Sequence, residues 1–300
     1  MKDLSGKFFK NSFKQKNRIL HILTFDIEDW FHTFDKAYYN RPALWETLSS
    51  SLEKNVSHIC EFLDENDLKA TFFWLGWEAE RYPVLVKELA TMGHEIAVHS
   101  FYHKKIDDLG RKTFKKDTER GIKTLEDITG KKVKSYRAPG MSINNSTLWA
   151  LDILYELGIE NDSSVVTPNK QTQKEPLLPR EPFIFEHNGV EIKEFPVPAI
   201  SFLSINFNYS SSGYFRISPY WWLRKKILDR DYMLFYFHPR DFDIGIHNYI
   251  ERNLYLKLRY RFGAKNALIK LEKILQNFEI INIDTANKQI SWDKAQRIKI

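Results

Sequence analysis

Cysteine is nearly absent from this 300-residue sequence, in which Cys60 is the only one. A single thiol cannot form an internal disulfide, and it cannot anchor a zinc ribbon or an iron–sulfur cluster. Glycine and proline are also scarce, at 12 and 11 residues without a short period, which excludes collagen-like and linker-dominated chains. Any metal site must therefore rest on histidine and carboxylate side chains.

Long apolar runs are missing as well. The longest one near the start, residues 19–25, is interrupted by His21 and ends at Asp26, far short of the roughly 20 residues that span a bilayer. The lysine-rich opening resembles the start of a signal peptide, but neither an apolar core nor a small-residue cleavage site follows it. We therefore expect no signal peptide, no transmembrane helix and a cytoplasmic location, with membrane association left open by the charge pattern.

The composition is that of a globular protein with excess positive charge: 43% of residues are hydrophobic, 28% are charged, and the net charge is +6. Basic residues crowd residues 1–18 and 252–273, while the middle of the chain is mixed in sign. This pattern predicts peripheral contact with an anionic membrane surface through the two basic ends. A solvated lysine-rich surface is the alternative. Nucleic acid is not an expected partner, because the positive charge is the only feature of the sequence that would favour it.

Short apolar runs alternate with amphipathic stretches along most of the chain, which is the pattern of βα units. Strands are predicted at residues 19–25, 70–75, 95–99, 133–137, 159–163, 191–196, 232–237 and 279–283. Residues 165–190 are predicted to form a long loop with room for a hairpin. A count of seven or eight strands favours a closed or nearly closed α/β barrel over an open sheet.

Three carboxylates follow the first predicted strand: Asp26, Glu28 and Asp29. The carboxyl ends of parallel barrel strands form the active-site face of such folds. Like charges this close repel each other, so a bound cation or an arginine is expected beside them. Alternation along an extended segment puts Asp26 and Glu28 on one side. A solvated acidic turn is the alternative.

Two histidines, His99 and His103, follow the third predicted strand at a spacing that suits chelation if the loop turns helically. Two neutral imidazoles and one carboxylate leave coordination positions for water, as in a catalytic zinc site. A packing role is the alternative for each. Other histidines, among them His21, His32 and His94, are predicted to be surface or packing residues.

Two later strands end in side chains of matching chemistry. Arg137 precedes the tight turn at Pro139 and Gly140, and its guanidinium is a natural partner for a surplus carboxylate. His238 follows an apolar strand and is a candidate general acid. Each motif is weak alone. Together, a carboxylate set, a histidine pair, an arginine and a late histidine at strand ends indicate a catalytic site.

The ordered motifs TFDIED, HSFYH, RAPG and FHP resemble those of the NodB-type polysaccharide deacetylases of carbohydrate esterase family 4, over roughly residues 19–285. Residues 24–32 are most similar to the branch with the first motif TFD-x-E-DWFH, which occurs among exopolysaccharide and surface-glycan genes. The resemblance implies a distorted (β/α)7-type barrel. It also implies metal-dependent removal of N-acetyl groups from amino sugars of a polysaccharide or of a glycan-biosynthesis intermediate.

The resemblance also assigns roles by motif. Asp26 matches the catalytic base, Arg137 the arginine that holds it, and His238 the histidine that protonates the departing amine. Asp162 is the candidate for the carboxylate that orients His238. Arg240 stands where the similar branch often has an aromatic residue, and a cation there is expected to lower the pKa of His238.

His99 and His103 match the two metal histidines of the family, and the implied cofactor is a divalent ion, with zinc expected. The usual adjacent Asp-Asp pair is replaced here by the run from Asp26 to Asp29. Same-face alternation favours Glu28 as the third ligand. Asp29 stays open as the alternative, because the strand is ending there.

Substrate contacts are expected from residues within or beside the same motifs. Trp30, Phe31 and Tyr102 are candidates to meet a pyranose face, with packing of the barrel mouth as the alternative. A backbone N–H in the stretch Pro139, Gly140 and Met141 is expected to hold the oxyanion of the tetrahedral intermediate, together with the metal.

These expectations divide the chain into a basic arm (1–18), a catalytic domain (19–285) that includes C-terminal helices within residues 242–277, and a tail (286–300). Two alternatives to a deacetylase of N-acetylated sugars remain open. One is a hydrolase of another non-peptide amide, as in allantoinase-like members of the superfamily. The other is a catalytically silent sugar-binding module, which would have no need of both a base and an acid.

Overall fold

The computed structural model describes residues 20–168, 178–202, 205–245 and 262–300. The predicted basic arm and the first part of the second basic stretch, up to residue 261, lie outside the described residues. Within the described ranges, none of the helices combines the length and the apolar character that crossing a bilayer requires.

A mixed sheet of ten strands forms the centre of the fold. The described strands are β1 (Leu20–Ile27), β2 (Thr71–Trp74), β3 (Glu95–Val98), β4 (Ser135–Tyr136), β5 (Asn161–Asp162), β6 (Val166–Thr167), β7 (Phe183–His187), β8 (Val190–Glu194), β9 (Val197–Pro198), β10 (Ile200–Phe202), β11 (Ile205–Phe207), β12 (Tyr232–Phe237), β13 (Ile280–Ile281) and β14 (Arg297–Lys299). The order along the sheet is β12-β1-β2-β3-β4-β5-β8-β7-β14, with β13 also paired to β1. All of these pairings are parallel except the β7–β8 hairpin.

Helices connect the parallel strands and cover the outer face of the sheet, as right-handed βα units require. They are α1 (Pro42–Trp45), α2 (Leu52–Glu65), α3 (Gly76–Arg81), α4 (Pro83–Thr91), α5 (Arg111–Thr129), α6 (Trp149–Glu156), α7 (Ser212–Ile217), α8 (Tyr220–Leu228), α9 (Ala267–Leu275) and α10 (Ile283–Gln289). The amphipathic pattern of α2 is typical: Val56, Ile59 and Leu63 are fully buried against the sheet. Pro83 occupies the first turn of α4, as its position in the sequence indicates.

The sheet curls into the distorted barrel that the sequence predicts. Its inner surface carries a small apolar cluster that includes Ile22, Phe73, Ala97 and Leu234, while the alternate residues of the same strands pack outward against the helices. No ladder joins β12 to β8 or β9 among the described strands. The hydroxyl of Tyr232 instead donates a hydrogen bond to the Pro196 carbonyl oxygen at 2.8 Å, across this gap.

Two segments near the C-terminus differ from the expectations, whereas the hairpin for which residues 165–190 left room is present. Residues 286–300, expected to be a tail, contain the end of α10 and strand β14, which pairs with β7. The predicted last strand is shorter than expected, because the side chain of Asn282 accepts a hydrogen bond from Thr285 N at 2.8 Å and caps α10. Local capping outweighs the β-propensity of Ile283. The second part of the predicted loop 165–190 enters a hairpin that turns at Asn188 and Gly189, both with positive φ.

Candidate active site

Polar side chains gather where four parallel strands end. Asp26 belongs to β1, His99 follows β3, Arg137 follows β4 and His238 follows β12. Each side chain is less than one tenth exposed. The register places these strand ends side by side, because β12, β1, β2, β3 and β4 are successive neighbours in the sheet. The sequence-based convergence of these motifs is therefore seen in the structure.

Glu28, His99 and His103 form a group whose ligand atoms lie within 4.8 Å of one another. Glu28 Oε1 is 3.3 Å from His103 Nε2 and 3.7 Å from His99 Nε2. His99 Nδ1 lies 2.7 Å from the carbonyl oxygen of Arg137, which accepts the ring N–H and leaves the Nε2 lone pair facing the carboxylates. One carboxylate and two imidazoles held in this way fit a divalent transition-metal ion. Asp26, Glu28 and His238 form an overlapping group.

The loop that carries His103 is shaped by left-handed backbone, so the two histidines come together without the helical turn that their spacing would suit. Ser100 and His103 have φ values of 64° and 55°, and Ser100 Oγ accepts a hydrogen bond from His103 N at 3.0 Å. Asp117 of α5 accepts from the N–H groups of Phe101 and Tyr102 at 2.8 and 3.3 Å. These contacts bring His103 to the same carboxylate as His99.

Helix α5 approaches this loop closely because it has glycine at position 121. A Cβ atom at Gly121 would lie 2.9 Å from Val98 Cγ2 and 3.1 Å from the carbonyl oxygen of Ser100. Both distances are tighter than ordinary van der Waals contact. Any larger residue would push α5 away from the end of β3 and would disturb the support of the His99–His103 loop.

The two carboxylates that the sequence left open as third ligand have different environments. Asp29 accepts hydrogen bonds from Trp30 N at 2.7 Å and from Ser51 N at 3.1 Å, so both of its oxygens bind the backbone of the loop. Only Glu28 lies in the histidine group. Backbone N–H groups hold the Asp29 carboxylate, so this arrangement favours Glu28 as the third ligand, and the choice between them stays a prediction.

Glu28 is buried, yet its carboxylate is held in the charged form. Arg240 Nη1 donates to Glu28 Oε2 at 2.9 Å. Burial raises the pKa of Glu28, but the charges of Arg240, His103 and His238 outweigh it and hold the pKa well below its usual range. Because Arg240 occupies Oε2, the oxygen that faces the histidines is Oε1.

Asp26 is paired with a guanidinium that is itself fully fixed. Arg137 Nη1 lies 2.6 Å from Asp26 Oδ1 and 2.9 Å from Thr24 Oγ1. The other guanidinium nitrogens donate to the carbonyl oxygen and the hydroxyl of Ser163 at 3.0 and 2.8 Å. Asp26 Oδ2 is 3.7 Å from His99 Nε2 and faces the candidate metal group. Arg137 thus orients Asp26 as the sequence motif implies.

His238 is oriented by Asp241, which the sequence analysis did not single out. Asp241 Oδ2 lies 3.1 Å from His238 Nδ1 and accepts from His238 N at 2.8 Å. Ser212 Oγ donates to the same carboxylate at 2.8 Å and lies 3.0 Å from His238 Nδ1. Burial and Arg240 lower the pKa of His238, but Glu28 and Asp241 outweigh them and raise it above its usual value. Arg240 thus lowers the pKa of His238 as expected, but the two carboxylates have the larger combined effect.

Asp162 does not orient His238, and the alternation of β5 explains why. Ser163, the next residue, faces the barrel interior and binds Arg137, so Asp162 faces the opposite side. There it accepts from Ser164 Oγ at 2.5 Å and lies beside Glu194. Burial and the negative charge of Asp162 raise the pKa of Glu194 well above its usual value, so Glu194 keeps its proton to a higher pH than an exposed glutamate does. The spacing His-Pro-x-Asp was the sequence signal for Asp241.

The predicted substrate residues fall into two groups. Trp30 and Phe31 are buried and pack in a cluster with Trp45 and Trp77, and Trp30 Nε1 donates to the Ser49 carbonyl oxygen at 2.9 Å. Both residues therefore pack in the interior, which was the alternative to contact with a sugar ring. Tyr102 is half-buried and accepts a hydrogen bond from Arg120 at 3.0 Å.

The turn after β4 reaches the surface beside the histidine group. Pro139 is buried, whereas Gly140 is exposed and has a φ of 66°. A Cβ atom at Gly140 would lie 2.9 Å from the ring of Phe34. That ring, which sequence reasoning missed, is 39% exposed and stacks on His103 with centroids 4.9 Å apart. It provides an aromatic surface next to the candidate metal group.

Two protein-family models match this chain. Residues 23–160 match the family model described as polysaccharide deacetylase, and residues 163–288 match a domain of unknown function (DUF3473). A peptidoglycan-N-acetylglucosamine deacetylase of Bacillus cereus is 30% identical over 95 residues, which are 31% of this chain and 34% of that protein. A chitooligosaccharide deacetylase of Azorhizobium caulinodans is 30% identical over 102 residues, which are 33% of this chain and 49% of that protein.

The chain thus spans a third to a half of the length of these relatives. A solved structure of a putative polysaccharide deacetylase from Mycobacterium smegmatis shares the fold, with a TM-score of 0.65 and 16% identity over 96% of this chain and 95% of that chain. The first matched region contains Asp26, Glu28, His99, His103 and Arg137. The second contains His238 and Asp241, so both regions contribute to one site.

Proposed function

We propose that this chain, which belongs to the NodB-type polysaccharide deacetylases of carbohydrate esterase family 4, hydrolyses the N-acetyl groups of amino sugars with the help of a divalent metal ion. The observation that carries the proposal is the group of Asp26, Glu28 and His238, whose ligand atoms all lie within 4.8 Å of one another. His99 Nε2 lies 3.7 Å from Asp26 Oδ2 and 3.7 Å from Glu28 Oε1. His238 Nε2 lies 3.3 Å from the same Glu28 oxygen. The proposed base, the proposed acid and the proposed ligands therefore lie close together.

Glu28, His99 and His103 would hold the ion, and zinc suits a set of two imidazoles and one carboxylate. The bound ion would supply Lewis-acid polarisation of the acetamide carbonyl and of the attacking water. The ring N–H of His99 donates to Arg137 O, which keeps its other nitrogen available as a ligand. Arg240 holds one oxygen of Glu28 and leaves the other for the ion.

Asp26 is the proposed base. Its Oδ1 is engaged by Arg137, so Oδ2 remains to take a proton from the attacking water. The carbonyl oxygen and the hydroxyl of Ser163 both accept hydrogen bonds from the guanidinium, which restricts rotation of Arg137. This restriction fixes the orientation of Asp26. Proton abstraction therefore starts from one defined carboxylate geometry.

His238 is the proposed acid. Asp241 and Ser212 engage Nδ1, so Nε2 is the nitrogen that faces Glu28 and the reacting group. Tyr236 OH lies 3.1 Å from the same Nε2 and helps to direct it. A proton held at Nε2 would pass to the sugar nitrogen when the tetrahedral intermediate collapses to acetate and a free amine.

Gly140 is the proposed oxyanion donor of the turn after β4. Pro139 has no N–H, and Met141 N donates to the Ala138 carbonyl oxygen at 3.0 Å. The exposed Gly140 and the Phe34 ring beside it form the wall of the site, and we propose that a pyranose ring packs on Phe34. The surface-glycan substrate and the cytoplasmic location expected from the sequence remain predictions.

The test is acetate release from N-acetylhexosamine oligomers by zinc-reconstituted protein. We expect His103→Ala to lose both bound zinc and acetate release, and Asp26→Asn to lose acetate release while zinc remains bound. The controls are His58→Ala and Asp127→Asn, which change exposed residues on α2 and α5 and should retain both properties. Wild-type protein that binds zinc but releases no acetate from any N-acetylated glycan would contradict the proposal. Opening of the ring of a cyclic ureide such as allantoin, without release of acetate from N-acetylated glycans, would indicate an allantoinase-like activity instead.

A further inference from the structure

Helix α8 presents one fully exposed face of mixed chemistry. Trp221, Arg224, Lys225 and Leu228 follow each other at the spacing i, i+3, i+4 and i+7, and all four are exposed. Trp221 is 69% and Leu228 is 43% exposed. Such spacing places the four side chains in a single stripe along the helix. The opposite side of α8 is anchored in the core by Leu223 and Ile227, both fully buried.

The preceding helix extends this surface. Tyr214 and Ile217 of α7 are 37% and 55% exposed, and Tyr220, which opens α8, is 37% exposed. Between α7, α8 and β11 lies an apolar groove of about 380 Å³, lined by Phe207, Tyr209 and Trp222 among others. Isolated exposed apolar residues are common, whereas a continuous patch around a groove marks an interaction surface.

The charge of this part of the chain has one sign. Between Glu194 and Asp229 the sequence has no acidic residue and four cations: Arg216, Arg224, Lys225 and Lys226. Arg216 is buried and lies 3.8 Å from Asp241, while Arg224 and Lys225 are exposed in the stripe. The surface therefore combines exposed aromatic and aliphatic side chains with exposed cations along the same helix.

We infer that the α7–α8 surface docks on an anionic lipid membrane. Tryptophan and tyrosine favour the headgroup level of a bilayer, aliphatic side chains enter the acyl boundary, and lysine and arginine attract acidic lipids. Self-association through the same stripe is disfavoured, because a two-fold contact would place Arg224 and Lys225 against the same cations of a second copy. The occupant that complements both the apolar and the positive parts is a negatively charged bilayer.

This location differs from the two basic ends expected from the sequence, and it lies next to the candidate active site. Helix α7 begins at Ser212, whose hydroxyl contacts His238 and Asp241, and it ends at the exposed Ile217. A membrane bound to α7 and α8 would thus lie within a few helical turns of the site. The inference goes beyond the proposed deacetylation and does not depend on it.

The experiment is co-sedimentation of the full chain with phosphatidylcholine vesicles, with and without phosphatidylglycerol. We expect binding only to the acidic vesicles and a decrease of binding as salt is raised. Neutralising the pair by Arg224→Gln with Lys225→Gln should weaken binding on the order of thirtyfold. Trp221→Ser should also weaken it, without a change in thermal unfolding large enough to indicate misfolding.

Matched controls separate this surface from general charge and exposure. Lys112→Gln with Lys116→Gln removes two exposed cations from α5, and Val84→Ser removes an apolar side chain that is 69% exposed on α4. Both controls should bind like wild type. The inference is overturned if wild type does not bind acidic vesicles or if the α8 variants bind them like wild type. It is also overturned if replacing Lys7, Lys10 and Lys14 by glutamine abolishes binding while the α8 variants still bind. Concentration-dependent dimerisation that Trp221→Ser abolishes, without vesicle binding, would identify a second copy as the partner.

Discussion

The carbonyl oxygen of Arg137 accepts a hydrogen bond from the ring of His99 at 2.7 Å, while the guanidinium of the same residue holds Asp26. One residue therefore sets the orientation of a candidate metal ligand through its backbone and of the proposed base through its side chain. The two effects can be separated by mutation, because a substitution changes only the side chain.

Replacing Arg137 by glutamine should abolish acetate release but preserve metal binding, since the hydrogen bond to His99 comes from the main chain. It should also destabilise the fold by about 3 to 5 kcal/mol, because Asp26 would be left buried without its partner. The double change Arg137→Gln with Asp26→Asn should recover part of that loss. Denaturant unfolding and zinc titration test these points, and loss of zinc affinity in Arg137→Gln would contradict the division of roles.

Glu28 and Asp29 should respond differently to loss of charge. Glu28→Gln is expected to weaken zinc binding by at least tenfold, because it removes an anionic ligand from the histidine group. Asp29→Asn should leave zinc affinity within a few-fold and lower the free energy of unfolding by about 1 to 3 kcal/mol, because its carboxylate binds two backbone N–H groups. Competition with a chromogenic chelator measures the affinities. The reverse ranking would restore Asp29 as the ligand.

Asp241 and Asp162 form a second matched pair. Asp241→Asn should lower kcat by about one to two orders of magnitude with little change in KM, because Asp241 orients the proposed acid and does not reach the substrate. Asp162→Asn should leave kcat nearly unchanged, because its side chain lies on the other face of β5 beside Glu194. Steady-state kinetics of both variants decide which of the two carboxylates orients His238. A large loss of kcat in Asp162→Asn alone would disprove the assignment of this role to Asp241.

The stability of the protein should decrease in acid because of His21. Its ring is fully buried, stacks on Phe278 with centroids 4.1 Å apart and has no hydrogen-bond partner among the described residues. Burial lowers the pKa of His21 from 6.5 to about 4, against the smaller raising effect of Asp231. Between these values the unfolded chain binds more protons, so stability falls as pH decreases from 6.5 towards 4, by roughly 3 kcal/mol.

His21→Phe keeps the stacking and removes the titration. Urea unfolding at pH 7 and pH 4.5 should therefore show a smaller acid loss in this variant than in wild type. The exposed His58→Phe serves as control and should retain the wild-type pH dependence. An equal acid loss in His21→Phe would show that other groups, such as His94, dominate this limb of the profile.

At alkaline pH the Asp162–Glu194 pair should have the opposite effect. The raised pKa of Glu194 means that the folded state retains a proton that the unfolded chain releases, so stability falls as pH rises above the usual glutamate range. Glu194→Gln should make the protein more resistant to denaturant at pH 8 than wild type and leave it similar at pH 5. Measurements at both pH values test this, and a loss at pH 8 would show that the pair is fully ionised and held by other contacts.

Much of the architecture could be predicted because it depends on local sequence patterns. Alternating apolar runs and amphipathic stretches placed the parallel strands, and the positions of Pro83 and Gly93 marked the limits of α4. The motifs at strand ends identified Asp26, His99, His103, Arg137 and His238 as one group. That step succeeded because parallel strands bring their carboxyl ends to one edge whatever the loops between them do.

Contacts between distant parts of the chain were decided by the tertiary structure alone. Periodicity could not choose between Glu28 and Asp29 at a strand end, and the choice came from the backbone N–H groups of Trp30 and Ser51 that occupy Asp29. The pattern of the two-residue strand β5 could not show which face Asp162 occupies, because the register of such a short strand is set by its neighbours. The sequence by itself determined which chemistry meets at the barrel mouth, since strand order and residue type suffice for that. The tertiary structure decided which oxygen or nitrogen of each side chain faces which partner. These orientations depend on packing against α5, α7 and the loops, whose residues lie far apart along the chain.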